Sequence, residues 1–250
     1  MFTKLYENAN HKCVKFTGFD SEDEVSTNQF LIIDSDEAIL FEPGGTRTNS
    51  NLFVEIASFI APQKIKYIVL SHQDPDVGAS LNFWLFSTNA KIVFSELWLR
   101  FIPHYASKKL ADERTLGIPD HGMNLAIGSS KVVLIPAHFL HSEGNFQIYD
   151  PTSKILFTGD FGASVGVDYE VVNDFESHTK FMDAFHKRYM PSSFAIKKWV
   201  EMVRTLDVEQ IVPQHGARIE GKQAVNKFLD WAFEIKPQLE ENPDWYRIPE

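Results

Sequence analysis

The stretch Lys66–Asp76, KYIVLSHQDPD, decides the fold assignment. It begins with a continuous apolar run of the kind that is buried on both faces of a layered sheet, and it passes directly into His72, Asp74 and Asp76. A tight loop that leaves a strand can turn alternate side chains into the same crevice. An acidic loop after a strand is by itself most often a solvated turn, so the significance of this stretch depends on the rest of the chain.

The same arrangement, an apolar run closely followed by ligand-type residues, occurs three more times. The runs and the residues that follow them are Lys131–Pro136 with His141, Lys154–Gly159 with Asp160, and Glu209–Gln214 with His215. Further strands are predicted at Lys12–Phe19, Asn28–Ile33, Ala38–Glu42 and Ala90–Ser95, and helices at Asn51–Ile60, Leu81–Phe86, Ser95–Lys109, Phe181–Tyr189, Ser193–Leu206 and Gly221–Ile235. Alternating strands and helices indicate a layered α/β protein. Since no linker or repeat divides the sequence, we expect a single domain over residues 1–250.

Ligands of α/β proteins bind beyond the carboxyl ends of the strands, so we expect the residues after these runs to converge. Three imidazoles and three carboxylates without a thiolate form a donor set suited to iron, manganese or zinc. The set is too large for one four-coordinate zinc and fits two metals that share a bridging carboxylate. A single histidine is more often a surface or core residue than a ligand, but four coincident signals favour a site. The candidate metal ligands are His72, Asp74, Asp76, His141, Asp160 and His215.

Composition and charge exclude several classes of protein. The 250 residues carry a formal net charge of -10, which disfavours binding to nucleic acid or to an anionic membrane surface. The single cysteine, Cys13, excludes an intramolecular disulfide and any CxxC metal site, and it is expected to be a small buried hydrophobe in a strand. No secretory signal and no membrane-length apolar run is present, so a cytoplasmic protein is predicted.

Several motifs, in order and spacing, resemble those of the metallo-β-lactamase superfamily over nearly the whole chain. They are TNQFLIIDSDEAILFEPG (27–44), SHQDPD (71–76), FLHSEGNFQIYDP (139–151), TGD (158–160) and QHG (214–216). The superfamily's hydrolases usually carry H-x-H-x-D-H, whereas this chain has Asp74 and Val77 at the second and last histidine positions. These changes make it most similar to the diiron branch, the flavodiiron proteins and the related oxygen-binding diiron proteins. The resemblance implies an α/β metallo-β-lactamase-like αββα four-layer sandwich.

The same resemblance implies a role for each candidate ligand. One iron would be held by His72, Asp74 and His141, the other by Asp76 and His215, and Asp160 would bridge them. Flavodiiron proteins carry glutamate where this chain has Asp74, a carboxylate one methylene shorter. An additional carboxylate stabilises ferric iron relative to ferrous iron. This stabilisation has no use at a zinc site, because zinc does not change its oxidation state.

The function implied by the resemblance is O2 binding at a dinuclear iron site, with NO or peroxide as alternative ligands. Flavodiiron proteins continue into a flavodoxin-like domain, whereas this sequence ends at Glu250 without a phosphate-cradling glycine loop, so no flavin or nucleotide is expected. Two versions follow: an oxidoreductase that reduces O2 with an external flavoprotein or rubredoxin-like donor, or a sensor that acts on a signalling partner. The missing electron-transfer domain favours sensing, and the flavodiiron relatives suggest a homodimer.

Two other functions stay open in the sequence. A dinuclear metallohydrolase acting on a phosphodiester, thioester or lactone would use the metals to activate water, and a degenerate scaffold would hold no metal. Trp98–Met123 is interpreted either as a lid over the site or as a surface helix, and Lys236–Glu250 as an irregular strap.

Overall fold

A computed structural model describes residues 1–19 and 25–249. In this part of the chain the strands form a seven-stranded sheet, in the order β1 to β7, and a six-stranded sheet, in the order β13-β12-β11-β10-β9-β8. The first sheet contains β1 Phe2–Glu7, β2 His11–Phe16, β3 Gln29–Asp34, β4 Glu37–Phe41, β5 Ile65–Val69, β6 Lys91–Ser95 and β7 Thr115–Ile118. The second contains β8 Met123–Ile127, β9 Ser130–Pro136, β10 Phe146–Asp150, β11 Ile155–Phe157, β12 Gln210–Val212 and β13 Ile219–Glu220.

Helices cover the outer faces of both sheets. The α-helices are α1 Asn49–Ala57, α2 Pro75–Gly78, α3 Leu81–Ser87, α4 Lys108–Arg114, α5 Phe175–His178, α6 Asp183–Tyr189, α7 Ser193–Val203, α8 Lys222–Glu234 and α9 Gln238–Glu241. Short 3-10 helices lie at Pro62–Lys64, Glu96–His104, Thr179–Phe181 and Pro243–Trp245. None of the helices in the described ranges is long and apolar enough to cross a bilayer.

Three apolar cores explain the layering. Strand β3 is buried along its whole length, and its side chains alternate between two faces as the strand period requires. Phe30 and Ile32 enter the core between the sheets, where the Phe30 ring lies 5.0 Å from that of Phe157. Leu31 and Ile33 enter the core under α1 and α3, and a third core lies between the second sheet, α7 and α8. The order is helix, sheet, sheet, helix, which confirms the predicted four-layer α/β fold.

The strand register places the predicted ligand loops at one end of the sandwich. Strands β4 and β5 are parallel, as are β11 and β12, so the carboxyl ends of each pair lie side by side. Strand β9 ends beside the start of β10, with Pro136 opposite Phe146. The Phe146 N–H donates to the Ser71 carbonyl at 3.0 Å, which joins the ends of the two sheets. The loops after β5, β9, β11 and β12 therefore open toward each other.

The predicted helix over Ser95–Lys109 is wrong. Residues Glu96–His104 instead form a 3-10 helix. Pro103 near its end is unfavourable for an α-helix over the turn before it, because proline removes a backbone donor and collides with that turn. The chain then continues through α4 into β7, a strand that the sequence analysis did not predict. The prediction of an irregular strap over Lys236–Glu250 holds only in part, because Gln238–Glu241 forms the helix α9. Trp245 is half-exposed and packs against Arg188, whose guanidinium carbon lies 4.6 Å from the centre of the Trp245 ring. Glu250 lies outside the described residues.

Candidate metal centre

The loop after β5 delivers three of the predicted ligands. His72 is 1% exposed, and Asp74 is the N-cap of the short helix α2, with Asp76 in its first turn. Pro75 occupies the first helical position, where its fixed φ suits a helix start and its missing N–H costs nothing. The sequence D-P-D therefore folds into a turn that holds both carboxylates beside the strand end.

Asp160 lies between two groups of side chains. Its Oδ2 is 3.6 Å from His72 Nε2 and 2.9 Å from His141 Nε2, and each of these nitrogens is also 3.6 Å from Asp74 Oδ2. Its other oxygen, Oδ1, is 3.4 Å from His215 Nε2. The two oxygens of one carboxylate thus face two separate groups of donors, the arrangement expected of a bridging ligand.

The second group is completed by Asp76, whose Oδ2 lies 3.4 Å from His215 Nε2. The Gln214 amide donates to the same oxygen at 3.3 Å. His215 Nδ1–H donates to the Ser26 carbonyl at 2.9 Å, which turns Nε2 toward the centre. Similarly, the Nδ1 of His72 lies 2.7 Å from Ser71 Oγ. Such outer partners fix the orientation of metal-binding imidazoles.

Unpaired buried atoms indicate that the donor set fits a metal. His72 Nε2 and Asp160 Oδ1 are buried and make no hydrogen bond within the described residues. A buried polar atom without a partner costs free energy, so native proteins rarely leave one. One ligand atom each from His72, Asp74, His141 and Asp160 lies within 4.8 Å of the others. A cation among these atoms would satisfy them.

The negative charges of the centre raise the pKa of two of its imidazoles, His72 and His215. Burial alone would lower the pKa of His72, but the negative charges of Asp160 and Asp74 outweigh it and raise the pKa to about 9. The pKa of His215 is also held well above its usual value, against burial, by the carboxylates beside it. The imidazoles in turn hold the pKa of Asp160 well below its usual range. A metal must displace these protons, so metal binding releases protons.

A pocket of about 620 Å³ lies over the centre. Its floor is formed by the carboxylates and imidazoles, and its apolar wall includes Phe185 and Tyr189 of α6, whose rings lie 6.4 and 5.8 Å from the His141 ring. Lys180 and Arg188 also line the pocket. The wall thus comes from α6 and neighbouring residues, so the lid interpretation of Trp98–Met123 is not supported.

The sequence analysis did not single out Glu42, whose carboxylate lies close enough to His72, Asp76 and Asp160 to interact with their charges. Glu42 directly follows β4, is fully buried, and has a pKa that burial raises to about 8. Its signal was present, because a carboxylate directly after an apolar run is the pattern used for Asp160.

His138, three residues before His141, lies apart from the centre and donates to the Asp120 carbonyl at 2.8 Å. Tyr105 donates to the Gln73 carbonyl at 2.7 Å, which supports the ligand loop from outside.

The geometry can now be compared with known proteins. A family model described as ODP family beta lactamase matches residues 25–216, which contain all six candidate ligands. The chain belongs to the ODP family. This confirms the resemblance to metallo-β-lactamase-fold diiron proteins that the sequence motifs indicated.

Solved structures agree with the ODP assignment. A structure of the peroxy diiron species of chemotaxis sensor ODP is 41% identical, with a TM-score of 0.89 over 98% of this chain and 99% of that chain. The apo state of chemotaxis sensor ODP from T. denticola is 40% identical, with a TM-score of 0.88 over 98% of this chain and 99% of that chain.

A more distant relative extends the comparison beyond ODP. The rubredoxin-oxygen oxidoreductase of Megalodesulfovibrio gigas is 23% identical over 233 residues, which are 89% of this chain and 57% of that protein. The chain spans about half the length of the curated relatives it matches. At this identity the likeness supports the fold of the diiron core.

Proposed function

We propose that the chain is a non-haem diiron protein that binds O2. The observation that carries the proposal is the position of Asp160, whose two oxygens face two groups of imidazoles and carboxylates at 2.9–3.6 Å. The ODP relative that is 41% identical is itself described as a diiron species. The proposed ligands are His72, Asp74 and His141 for one iron, Asp76 and His215 for the other, and Asp160 between them.

The residues favour iron over a hydrolytic metal pair. Three carboxylates stabilise the ferric state, and two bound irons would supply electrons and an open coordination position for O2. Val77, at the position where the hydrolases carry a histidine, is fully buried in the core under the first sheet. It therefore offers no ligand to the second metal, which leaves room for a diatomic ligand there.

The chain's own residues shape the access of that ligand. Phe185 and Tyr189 give the pocket an apolar wall beside His141. Lys180 and Arg188, which also line the pocket, place positive charge near the carboxylates of the floor. An acidic protein donor would be attracted to this face.

We propose that sensing is the biological role, supported by the described role of the ODP relative in chemotaxis. The ligand-bound protein would then act on a signalling partner, and reduction of O2 would require an external donor such as a flavoprotein or a rubredoxin-like protein. We further propose that the protein is a cytoplasmic homodimer. A reducing compartment suits its single buried thiol, and light scattering would test the dimer.

The test is to load the protein with Fe(II) without oxygen, measure its iron, and record visible spectra before and after O2, NO or peroxide is admitted. We expect both sites to fill with iron and a stable absorption band to form with O2. A band that decays only when a reductant is added would indicate a reductase instead of a sensor. Zinc or manganese in the purified protein, with no spectral change and with hydrolysis of a phosphodiester, thioester or lactone, would overturn the proposal.

A further inference from the structure

A buried histidine outside the proposed ligand set connects the metal centre to the pocket wall. His186 lies within α6 and is fully buried. Its Nδ1–H donates to the Met182 carbonyl at 2.7 Å, and its Nε2 accepts from the Gly162 N–H at 2.8 Å. Both ring nitrogens are used, so the tautomer with the proton on Nδ1 is fixed.

The acceptor role of His186 Nε2 needs a neutral ring. Burial lowers the pKa of His186 to about 4, so the imidazole stays uncharged at neutral pH. The ring is packed among aromatic side chains: those of Phe161 and Trp231 lie 5.3 and 4.9 Å away. This packing leaves the Gly162 N–H as the partner of Nε2.

Gly162 follows Asp160 by two residues on the same turn. The Ala163 N–H donates to the Asp160 carbonyl at 3.0 Å, and the Phe161 N–H donates to the Thr158 carbonyl at 3.2 Å. Gly162 has a φ of +99°, a conformation that glycine adopts without strain. The direction of its N–H and the position of Asp160 are therefore set by one rigid turn.

The other residues of α6 touch the centre from a second side. Phe185 and Tyr189 stack on each other at 4.7 Å, and both rings pack against His141. Helix α6 thus contacts His141, a proposed ligand of one iron, through two aromatic rings. Through His186 it also contacts the turn that carries Asp160, the proposed bridging ligand.

We propose that His186 is a positioning residue that keeps the two oxygens of Asp160 aimed at the two groups of donors. This inference rests on the proposed metal centre and adds a residue that touches neither metal nor ligand. Its loss would let the Asp160 turn shift relative to α6, and the affinity for metal would fall. Loss of such an outer contact typically lowers metal affinity by about 10–100-fold.

The test compares His186→Gln with His186→Asn. The Gln side chain reaches as far as Nε2 and can accept from the Gly162 N–H, whereas the Asn side chain reaches only to the level of Nδ1. Both variants place a neutral amide in the same buried site, and the melting temperature of each apo-protein records its folding cost separately from its iron affinity. We expect His186→Asn to lower the affinity of the apo-protein for Fe(II), measured by anaerobic competition titration, by at least about 10-fold, and His186→Gln to recover most of it.

His178 provides the control. It is also a buried histidine, one helix earlier, but it contacts Tyr169 and Phe181. His178→Asn should lower the melting temperature while Fe(II) affinity stays near the wild-type value. Equal Fe(II) affinities of His186→Asn and wild type, or an equal loss of affinity in His178→Asn, would overturn the inference.

Wild-type protein that binds iron without reacting with O2 would contradict only the proposed function. Wild-type protein that binds no iron would contradict both the proposed function and the inference about His186.

Discussion

Two clusters of buried histidine and carboxylate lie at opposite ends of the same sandwich. At the end away from the metal centre, His11 Nδ1 lies 3.1 Å from Asp34 Oδ2, and its Nε2 lies 2.8 Å from Asp150 Oδ2. Cys13 Sγ lies 3.3 Å from the same Asp150 oxygen. By residue type and by spacing alone, His11, Cys13 and Asp150 could also hold a metal ion.

The clusters differ in how completely their atoms are paired. Both nitrogens of His11 face carboxylates, and Asp34 also accepts from the Ser129 N–H at 2.7 Å. At the metal centre, His72 Nε2 and Asp160 Oδ1 have no hydrogen bond within the described residues. The spacings of the two clusters overlap, so the difference between the candidate metal centre and the His11 cluster lies in these atoms without a hydrogen bond.

Replacement of the central carboxylate should have the largest effect. Asp160→Ala removes the group that faces both sets of donors and leaves the imidazoles without their shared partner. We expect the variant to retain less than roughly half of the wild-type iron, measured by elemental analysis after anaerobic loading. Asp150→Asn removes a carboxylate from the other cluster and should bind iron like wild type. Wild-type iron content in Asp160→Ala would contradict the proposed role of Asp160.

The control variant should instead lose stability. Asp150→Asn removes one of the two negative charges beside the buried His11 imidazolium. Removal of one partner from a buried ion pair typically lowers the free energy of unfolding by about 3–5 kcal/mol. Urea denaturation of the metal-free protein measures this loss. Asp244→Asn, which removes an exposed partner of Arg247, should leave the unfolding midpoint unchanged. An equal midpoint for Asp150→Asn and wild type would show that the His11 cluster does not stabilise the fold.

The stability supplied by the His11 cluster should depend on pH. Burial alone would lower the pKa of His11, but the two carboxylates beside it outweigh burial and raise the pKa. The stability that protonated His11 contributes is therefore complete below about pH 6.5, and it is lost as the pH rises through the raised pKa. The pKa values of Asp34 and Asp150 are lowered, so their contribution is lost as acid takes the pH below about 3.9. The stability difference between metal-free wild type and His11→Gln should therefore shrink between pH 6 and pH 9. A stability difference that grows with pH would contradict the raised pKa of His11.

The smallest effect is expected at Cys13. Its thiol is fully buried, and burial raises its pKa well above the usual value, so it should resist thiol reagents in the folded protein. Cys13→Ala removes one hydrogen bond to Asp150 and should cost about 1 kcal/mol with no change in bound iron. Loss of iron in Cys13→Ala would mean that this cluster binds metal too.

The convergence of the candidate ligands could be predicted from the sequence because each of their loops follows a buried strand. His72, Asp160 and His215 come directly after apolar runs, and the strand register brings those ends together. The His11 cluster was not predicted, since the partners of its ring lie at sequence separations of 23 and 139 residues. Cys13 was correctly placed as buried in a strand, but its polar partner Asp150 was not foreseen.

Two other features show the limits of local patterns. Apolar spacing predicted one helix through residues 95–109, but the chain forms a 3-10 helix over Glu96–His104 and begins α4 at Lys108. His186 carries no sequence signal, because its role depends on the Gly162 N–H, which tertiary packing brings to it. Ligands at strand ends can thus be predicted from the sequence, whereas the contacts that orient them depend on the assembled fold.

The most direct test of the proposed diiron centre is a crystal structure of the iron-loaded protein with anomalous scattering measured at the iron absorption edge. We expect two iron peaks, one on each side of Asp160, with His72 and His141 beside one and His215 beside the other. We expect no peak next to His11. A single peak at the centre, peaks that avoid Asp160, or a peak beside His11 would contradict the proposal.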